Sequence, residues 1–287
     1  MNIKREIENL EENKMSVKRL VSGLLGFPLV AVILILGNNI VIDVLFSLIS
    51  MLCIHEYFKS FEGKAKPIQW LGYIASAFIA FIHIIPEQYA LSIIEVSIPC
   101  IFLILFAQLI GSEMKKKLND IMITLFGIAY IVVFLLFFPL LSGTPEIGKY
   151  FVWYILFVAW GTDIFAFVVG KKWGKHKFTS ISPNKTVEGC IAGVIGAVAL
   201  SLIYTVVLNH YFNMEISYIY IGIISVLLSF IGQIGDLAAS AIKRTNGIKD
   251  FSNLIPGHGG MLDRFDSVIA IAPFAYFFLT MIVNIGG

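Results

Sequence analysis

Charge is scarce in this sequence. Lys, Arg, Asp and Glu together make up 14% of its 287 residues, whereas a soluble globular domain carries about 25%. Hydrophobic residues make up 58% of the chain, and the mean hydropathy is +0.86. This composition excludes an ordinary soluble domain and predicts an all-α, polytopic membrane protein.

Cysteine is also rare, and the sequence has no P-loop motif for nucleotide binding. Cys53, Cys100 and Cys190 each lie inside an apolar run without a CxxC pair. They indicate packing positions rather than a disulfide framework or a zinc site. No GxxxxGK[ST] sequence is present, which excludes a P-loop.

Residues 1–19 mix Lys, Arg and Glu without a cleavage site, and predict a cytoplasmic amphipathic segment rather than a signal peptide.

Long apolar runs fill most of the remaining chain. A membrane-spanning helix needs about 20 mostly apolar residues. We predict nine spans, at 20–37, 40–58, 68–86, 90–111, 120–141, 151–170, 187–208, 216–235 and 267–285. They divide the chain into an N-terminal transmembrane region, 20–150, and a C-terminal transmembrane region, 151–287, in which the polar motifs lie.

Basic residues fall almost entirely on one side of these spans. If the N-terminus is cytoplasmic, the inside segments hold 20 of the 21 Lys and Arg residues, and Lys149 is the remaining one. Cytoplasmic loops of membrane proteins are enriched in Lys and Arg. We therefore predict a multi-pass protein of the cell membrane with its N-terminus in the cytoplasm and its C-terminus outside. The inside segments are then 1–19, 59–67, 112–119, 171–186 and 236–266.

Three acidic residues stand at the ends of the last two runs. Asp236 follows the eighth run, while Asp263 and Asp266 begin the ninth, on one helical face. Carboxylates at a membrane margin are costly unless they pair, stay hydrated or bind a ligand. Oxygen ligands favour a hard cation, so we predict that the three hold Mg²⁺. The alternative is that they cap a helix or pair with nearby Lys and Arg.

Basic and glycine-rich residues between these acids are typical of phosphate binding. Lys243, Arg244 and Lys249 supply positive charge, and "PGHGG" (256–260) lets backbone N–H groups approach a ligand closely. We interpret His258 as a phosphate donor, because no second His lies near it to form a soft-metal site. A metal ligand and a plain turn residue are the alternatives for His258.

A second polar stretch, 171–189, is predicted to face the same side. Ser182 and Glu188 lie where helix capping or a polar contact falls, and Lys185 is within reach of phosphate. Asp163, inside the sixth run, is a candidate because ionisable residues within a membrane are usually functional. These residues fit phosphoryl or nucleotidyl transfer to a lipid head group, and they also fit a cation transporter.

Small residues follow this stretch. Gly189 and Gly193 have GxxxG spacing, with Gly196 nearby. The spacing favours close helix packing inside the fold, and a homodimer seam is the alternative.

Three motifs resemble those of one enzyme family. "SAIKRTNGIKDFSNLIPGHGGMLDRFDS" (240–267) resembles the C-terminal signature of phosphatidate cytidylyltransferases, also called CDP-diacylglycerol synthases. "SPNKTVEG" is similar to their S-P-K-K-T-W-E-G segment, with Asn184 and Val187 as departures. "GTDIFAFVVGKKWGKHK" is similar to a further family motif, with Phe167 where Tyr is common. The resemblance covers the chain from about residue 150 onward.

The resemblance implies that CTP and phosphatidic acid give CDP-diacylglycerol and pyrophosphate, with Mg²⁺ as cofactor, in phospholipid biosynthesis. It makes 151–287 the catalytic region, with CTP and membrane phosphatidic acid as partners and no nucleic acid. The implied catalytic residues are Asp236, Lys243, Arg244, Asp263 and Asp266, of which the three Asp hold the metal. The implied substrate-binding residues are Asp163, Ser182, Lys185, Glu188, Ser240, Lys249, Asp250, Gly257, His258, Gly259, Gly260 and Arg264.

Three other functions compete with this one. A CTP-dependent polyprenol or phytol kinase would transfer the γ-phosphate to an alcohol and release CDP. A cation transporter would use Asp163 and Glu95 as intramembrane sites, but the sequence has no clear internal repeat of the kind common in transporters. A purely structural scaffold leaves the clustered acids unexplained.

Overall fold

The structure, a computed structural model, describes residues 30–112, 116–145, 147–255, 257 and 259–286. The predicted amphipathic segment 1–19 lies outside the described residues, as does most of the first predicted span, of which residues 30–36 are helical. The described part of the chain is helical apart from turns and two isolated β-bridges. The all-α prediction is confirmed.

Eight helices coincide with the eight predicted runs that follow the first. They are α1 (Asn39–Lys59), α2 (Gln69–Phe78, continued by the 3₁₀ turn Ile79–Phe81), α3 (Glu87–Gly111), α4 (Leu118–Ser142), α5 (Gly148–Trp173), α6 (Val187–Tyr211), α7 (Tyr218–Asn246) and α8 (Leu262–Gly286). Within the described ranges, six are long and apolar enough to cross a membrane, namely all except α2 and α3. The protein is therefore a multi-pass membrane protein.

The end of α7 differs from the sequence prediction. The eighth predicted run stops at residue 235, but the helix continues, so Asp236 lies inside it and Lys243 on its last turns. Hydropathy falls at the polar residues, whereas the helix goes on because its backbone hydrogen bonds remain satisfied. Gly247, with φ of 75°, ends the helix in the left-handed conformation that glycine adopts readily.

One helix of the first half is continuous but irregular. Within α4, Ile128–Val133 form a π-helical segment, and Pro139 lies in the turns that follow. A π segment adds a residue to a helical turn and is frequent at functional sites. This segment contacts α1 and α8.

Glycines allow α5 and α6 to approach closely. A side chain added at Gly189, Gly193 or Gly196 would collide with α5. The prediction that this GxxxG spacing serves packing inside the fold is confirmed. The glycine face is occupied by α5, so a homodimer seam through it is not supported.

The described basic segments meet at one end of the bundle. Lys64 Nζ donates to the backbone oxygen of Thr245 at 2.8 Å, and Lys116 Nζ to that of Lys66 at 2.9 Å. The turn after α5 contacts α7 through an ion pair described below. The segments that hold Lys64 and Lys116 and the turn that holds Lys185 therefore contact one another or α7, while the orientation of the protein in the membrane stays a prediction.

Replacing Gly193 by Leu should force α5 and α6 apart, because a Cβ there would lie 2.8 Å from the backbone oxygen of Thr162. We expect a loss of about 1–3 kcal/mol, the usual cost of overpacking. Thermal unfolding in detergent measures it. The matched control is Gly222→Leu, since nothing lies within 4 Å of a Cβ at Gly222. Equal unfolding temperatures for the two variants would contradict the packing role.

Candidate functional site

A small cavity opens between α5, α6 and α7, and polar side chains form part of its lining. It has a volume of about 190 Å³, and its lining includes Asp163, Lys185, Gln233 and Asp236. Lys185 Nζ forms an ion pair with Asp236 Oδ2 at 2.5 Å. Asp163, on α5, interacts electrostatically with both partners of this pair. Three predicted site residues from separate parts of the chain therefore line one cavity.

The turn between α5 and α6 presents Lys185 to this cavity. Lys185 N donates to the backbone oxygen of Ser182 at 3.0 Å, which tightens the turn. Glu188 accepts a hydrogen bond of 2.7 Å from His176 Nδ1 at the base of α6. Thr186 caps α6 by accepting from Gly189 N. Ser182 and Glu188 shape the turn in this structure, and their contact with substrate stays a prediction.

Asp263 organises the segment 247–261, which joins α7 to α8 and is called here the signature loop. Its Oδ1 accepts from Lys243 Nζ at 2.7 Å, and both residues are buried. Its Oδ2 accepts from Phe251 N and Gly260 N, each at 2.9 Å. Charge-assisted bonds to a buried carboxylate are strong. Both oxygens of Asp263 are thus engaged within the protein, and its role as a metal ligand stays a prediction.

Asp266 lies one turn further along α8 and is also buried. Its Oδ1 accepts from Ser267 N at 2.7 Å. Its carboxylate interacts electrostatically with Asp236, Lys243 and Asp163. Asp266 therefore interacts with two acids, Asp163 and Asp236, that line the cavity between α5, α6 and α7.

The donors present fit a hard cation better than a soft one. Asp236 and Asp266 offer only oxygen atoms, and a bound cation would relieve the repulsion between these two like charges. Among the described residues, no three His, Cys, Asp or Glu side chains are grouped so that they alone could hold a metal ion. Mg²⁺ does not need such a cage, because it usually takes one or two carboxylates and completes its shell with water and substrate phosphates.

The remaining predicted residues of the signature loop and its flanks lie nearer the surface. Lys249, Asp250, Arg244 and Arg264 are exposed. Arg244 donates to the backbone oxygen of Ile248 at 3.0 Å, and Arg264 acts electrostatically on Asp163. These four side chains therefore lie at the surface and not within the Lys243–Asp263 or Lys185–Asp236 ion pair.

Besides Gly247, two glycines of the signature loop have positive φ. The values are 79° at Gly257 and 85° at Gly259, a region in which other residues are strained. Ile255 N donates to the backbone oxygen of Gly259 at 2.8 Å and closes this turn. His258 lies outside the described residues. Ser240, on α7, places its Oγ 3.4 Å from Asp236 Oδ1.

Sequence reasoning missed Glu56, on α1. Its buried carboxylate accepts from Met261 N at 3.0 Å, Leu262 N at 2.8 Å and Ser252 Oγ at 2.5 Å. Glu56 thus caps α8, whose first N–H groups and dipole favour a negative charge. The partners lie up to 206 residues away in sequence, so no local pattern connects them. The one available signal was a carboxylate inside an apolar run.

The fold and site define a multi-pass membrane protein with paired lysines and carboxylates at one end of its bundle. Residues 17–282 match the Cytidylyltransferase family. The chain is 32% identical over 271 residues to the phosphatidate cytidylyltransferase of Bacillus subtilis (strain 168), an alignment that covers 92% of this chain and 97% of that protein. The chain therefore belongs to the cytidylyltransferase family.

Two staphylococcal relatives match a shorter part of the chain. The phosphatidate cytidylyltransferase of Staphylococcus haemolyticus (strain JCSC1435) is 36% identical over 171 residues. That of Staphylococcus aureus (strain COL) is 38% identical over 173 residues. Each alignment covers 59% of this chain and 63% of the relative.

Replacing Glu56 by Gln should loosen the signature loop, because a neutral amide with one acceptor oxygen replaces a charged carboxylate with two. We expect a stability loss of about 1–3 kcal/mol and faster proteolysis within residues 247–261. Thermal unfolding and limited proteolysis in detergent measure these effects. Glu62→Gln, an exposed acid just beyond the same helix, is the control. If the two variants behave alike, Glu56 does not hold the loop.

Proposed function

We propose that this protein is a phosphatidate cytidylyltransferase, which transfers the cytidylyl group of CTP to phosphatidic acid and releases pyrophosphate. The observation that carries the proposal is the meeting of two lysine–carboxylate pairs and a third acid at one end of a membrane bundle, in a chain whose relatives bear this name. Both substrates carry phosphate. A cation-rich site at the end of the bundle can bind the phosphate of a lipid in the bilayer and that of a nucleotide from water.

The proposed orientation places this site on the cytoplasmic face of the cell membrane. Nine spans, with the N-terminus inside and the C-terminus outside, leave a single basic residue, Lys149, on the outer side. The contacts among the basic segments at one end of the bundle support this arrangement. CTP then approaches from the cytoplasm, while the acyl chains of phosphatidic acid stay in the bilayer.

The reaction is an in-line displacement at the α-phosphorus of CTP. A phosphate oxygen of phosphatidic acid forms the new P–O bond, and the bond between the α-phosphorus and the oxygen that bridges to the β-phosphate breaks. That oxygen leaves with its electron pair in pyrophosphate. The attacking phosphate is ionised near neutral pH, so the step requires no general base. Alignment and neutralisation of charge are the tasks left to the protein.

The lysine of each ion pair contributes a positive charge, held in place by its carboxylate, to these tasks. Lys243 is held by Asp263, and its ammonium is oriented before substrate arrives. Lys185 is held by Asp236 at the cavity between α5, α6 and α7. A cation that is already in place needs little reorganisation when charge develops on the leaving pyrophosphate. The exposed Arg244 and Lys249 attract the triphosphate to the same end.

Asp236 and Asp266 are the proposed Mg²⁺ ligands, with Asp163 beside them. The metal would neutralise the triphosphate and the leaving pyrophosphate. Asp263 contributes mainly by orienting Lys243 and the loop amides. The acids would supply oxygen donors to the ion, and the lysine ammonium groups would pair with the phosphates.

Labelled CTP tests the reaction. Purified protein with phosphatidic acid and Mg²⁺ should move label from the α-phosphate of CTP into the lipid and label from the γ-phosphate into soluble pyrophosphate. A lipid kinase would move the γ-label into the lipid and release CDP. Label from the γ-phosphate in the lipid, or no labelled lipid at all, would refute the proposed function. Omitting phosphatidic acid is the control.

Replacing Asp236 by Asn should lower turnover by about 100-fold or more, because a charge that positions Lys185 and a metal ligand are both lost. The measurement is CDP-lipid formation over a range of Mg²⁺ concentrations. Glu95→Gln, a second acid within an apolar helix, serves as control and should keep wild-type turnover. Wild-type turnover and Mg²⁺ dependence in the Asp236 variant would rule out this assignment.

A further inference from the structure

Tyr130, on α4, carries a hydroxyl that no described group satisfies. Its ring lies near Phe126 and Phe134, with centroid distances of 5.7 and 6.0 Å. The hydroxyl oxygen is buried and forms no hydrogen bond with any residue in the described ranges. Burying an unpaired hydroxyl is unfavourable, so such groups are rare in folded proteins and call for a physical reason.

The surroundings of this hydroxyl supply the reason. The phenol interacts electrostatically with Asp266 and Asp236, the two acids of the proposed metal site. It also interacts with Cys53, a buried residue of α1 that lies in the field of Asp263 and Asp266. Tyr130 is therefore a first-half residue, on a segment that contacts α8, whose hydroxyl interacts with the acids of the second half.

Local backbone geometry explains how α4 brings the phenol there. Tyr130 lies within the π-helical segment Ile128–Val133, which contacts α1 and α8. One residue of a regular helix turns the chain by roughly 100°. An inserted residue therefore changes which side chains face α8. π segments are frequent at functional sites.

A second buried tyrosine shows the ordinary arrangement. The Tyr154 hydroxyl, on α5, forms a hydrogen bond of 2.8 Å with Thr205 Oγ1 on α6. That hydroxyl stabilises the contact between two helices. The Tyr130 hydroxyl has no such partner, so it gives the free protein no comparable bond.

We propose that Tyr130 contacts substrate and that its hydroxyl donates a hydrogen bond to a phosphate oxygen held beside Asp266. This inference rests on the proposed cytidylyl transfer. Asp266 Oδ1 already accepts from Ser267 N, and Lys243 and Lys185 provide the positive charge that retains a phosphate near these acids. An anionic phosphate oxygen is a stronger acceptor than a neutral oxygen. The bond therefore forms when substrate binds.

Tyr130→Phe removes only the hydroxyl and keeps the ring. We expect its thermal unfolding temperature in detergent to equal or exceed that of the wild type, since an unpaired buried hydroxyl is lost. We expect kcat/KM for CDP-lipid formation to fall roughly 10- to 100-fold, the size expected for one hydrogen bond to a charged group. The concentrations of CTP and phosphatidic acid are varied separately, so that the fall in kcat/KM can be assigned to one of the two substrates.

Tyr154→Phe is the matched control and should show the opposite result. It removes a bonded hydroxyl, so its unfolding temperature should fall while kcat/KM per folded protein stays at the wild-type value. Wild-type kcat/KM in Tyr130→Phe for both substrates would overturn the inference. A loss of kcat/KM fully explained by a loss of folded protein would also overturn it. If the wild type itself forms no CDP-lipid, the proposed function fails, and the inference fails with it.

Discussion

The buried carboxylate of Asp263 is the interaction on which the rest of the site depends. It binds the ammonium of Lys243 and two backbone N–H groups of the signature loop. Burying a charge is costly, and only a full set of donors makes the arrangement favourable. The same contacts therefore fix three things together: the end of α7, the fold of the loop and the direction of the lysine. Phosphate meets a cation whose position is already determined.

The first half of the chain takes part in this arrangement although it carries none of the family motifs. Glu56 caps α8 from α1. Asn246 Nδ2, at the end of α7, donates to Ser60 Oγ at 3.1 Å, and Lys64 donates to Thr245. Tyr130 adds a polar group from α4. The helices of residues 39–142 thus hold the loop from one side, while α5, α6 and α7 form the cavity on the other.

Local signals in the sequence predicted much of this structure. Apolar runs located eight helices because burial in a bilayer depends on composition within about 20 residues. The motifs identified Lys185, Asp236 and Lys243 because their residue types and spacing lie within short segments. Hydropathy failed at the end of α7, where polar residues continue a helix. The roles of Glu56 and Tyr130 depend on contacts between distant segments, and no local pattern encodes such contacts.

The cap that Glu56 provides can form only late in synthesis. Its backbone partner Leu262 lies 206 residues further along the chain, so α1 enters the membrane long before that partner exists. Until α8 is inserted, the carboxylate of Glu56 lies in an apolar helix without its hydrogen-bond donors, and the signature loop lacks its contacts with Glu56. A nascent chain released before its last helix would consequently hold most of the motif residues and still lack an assembled site.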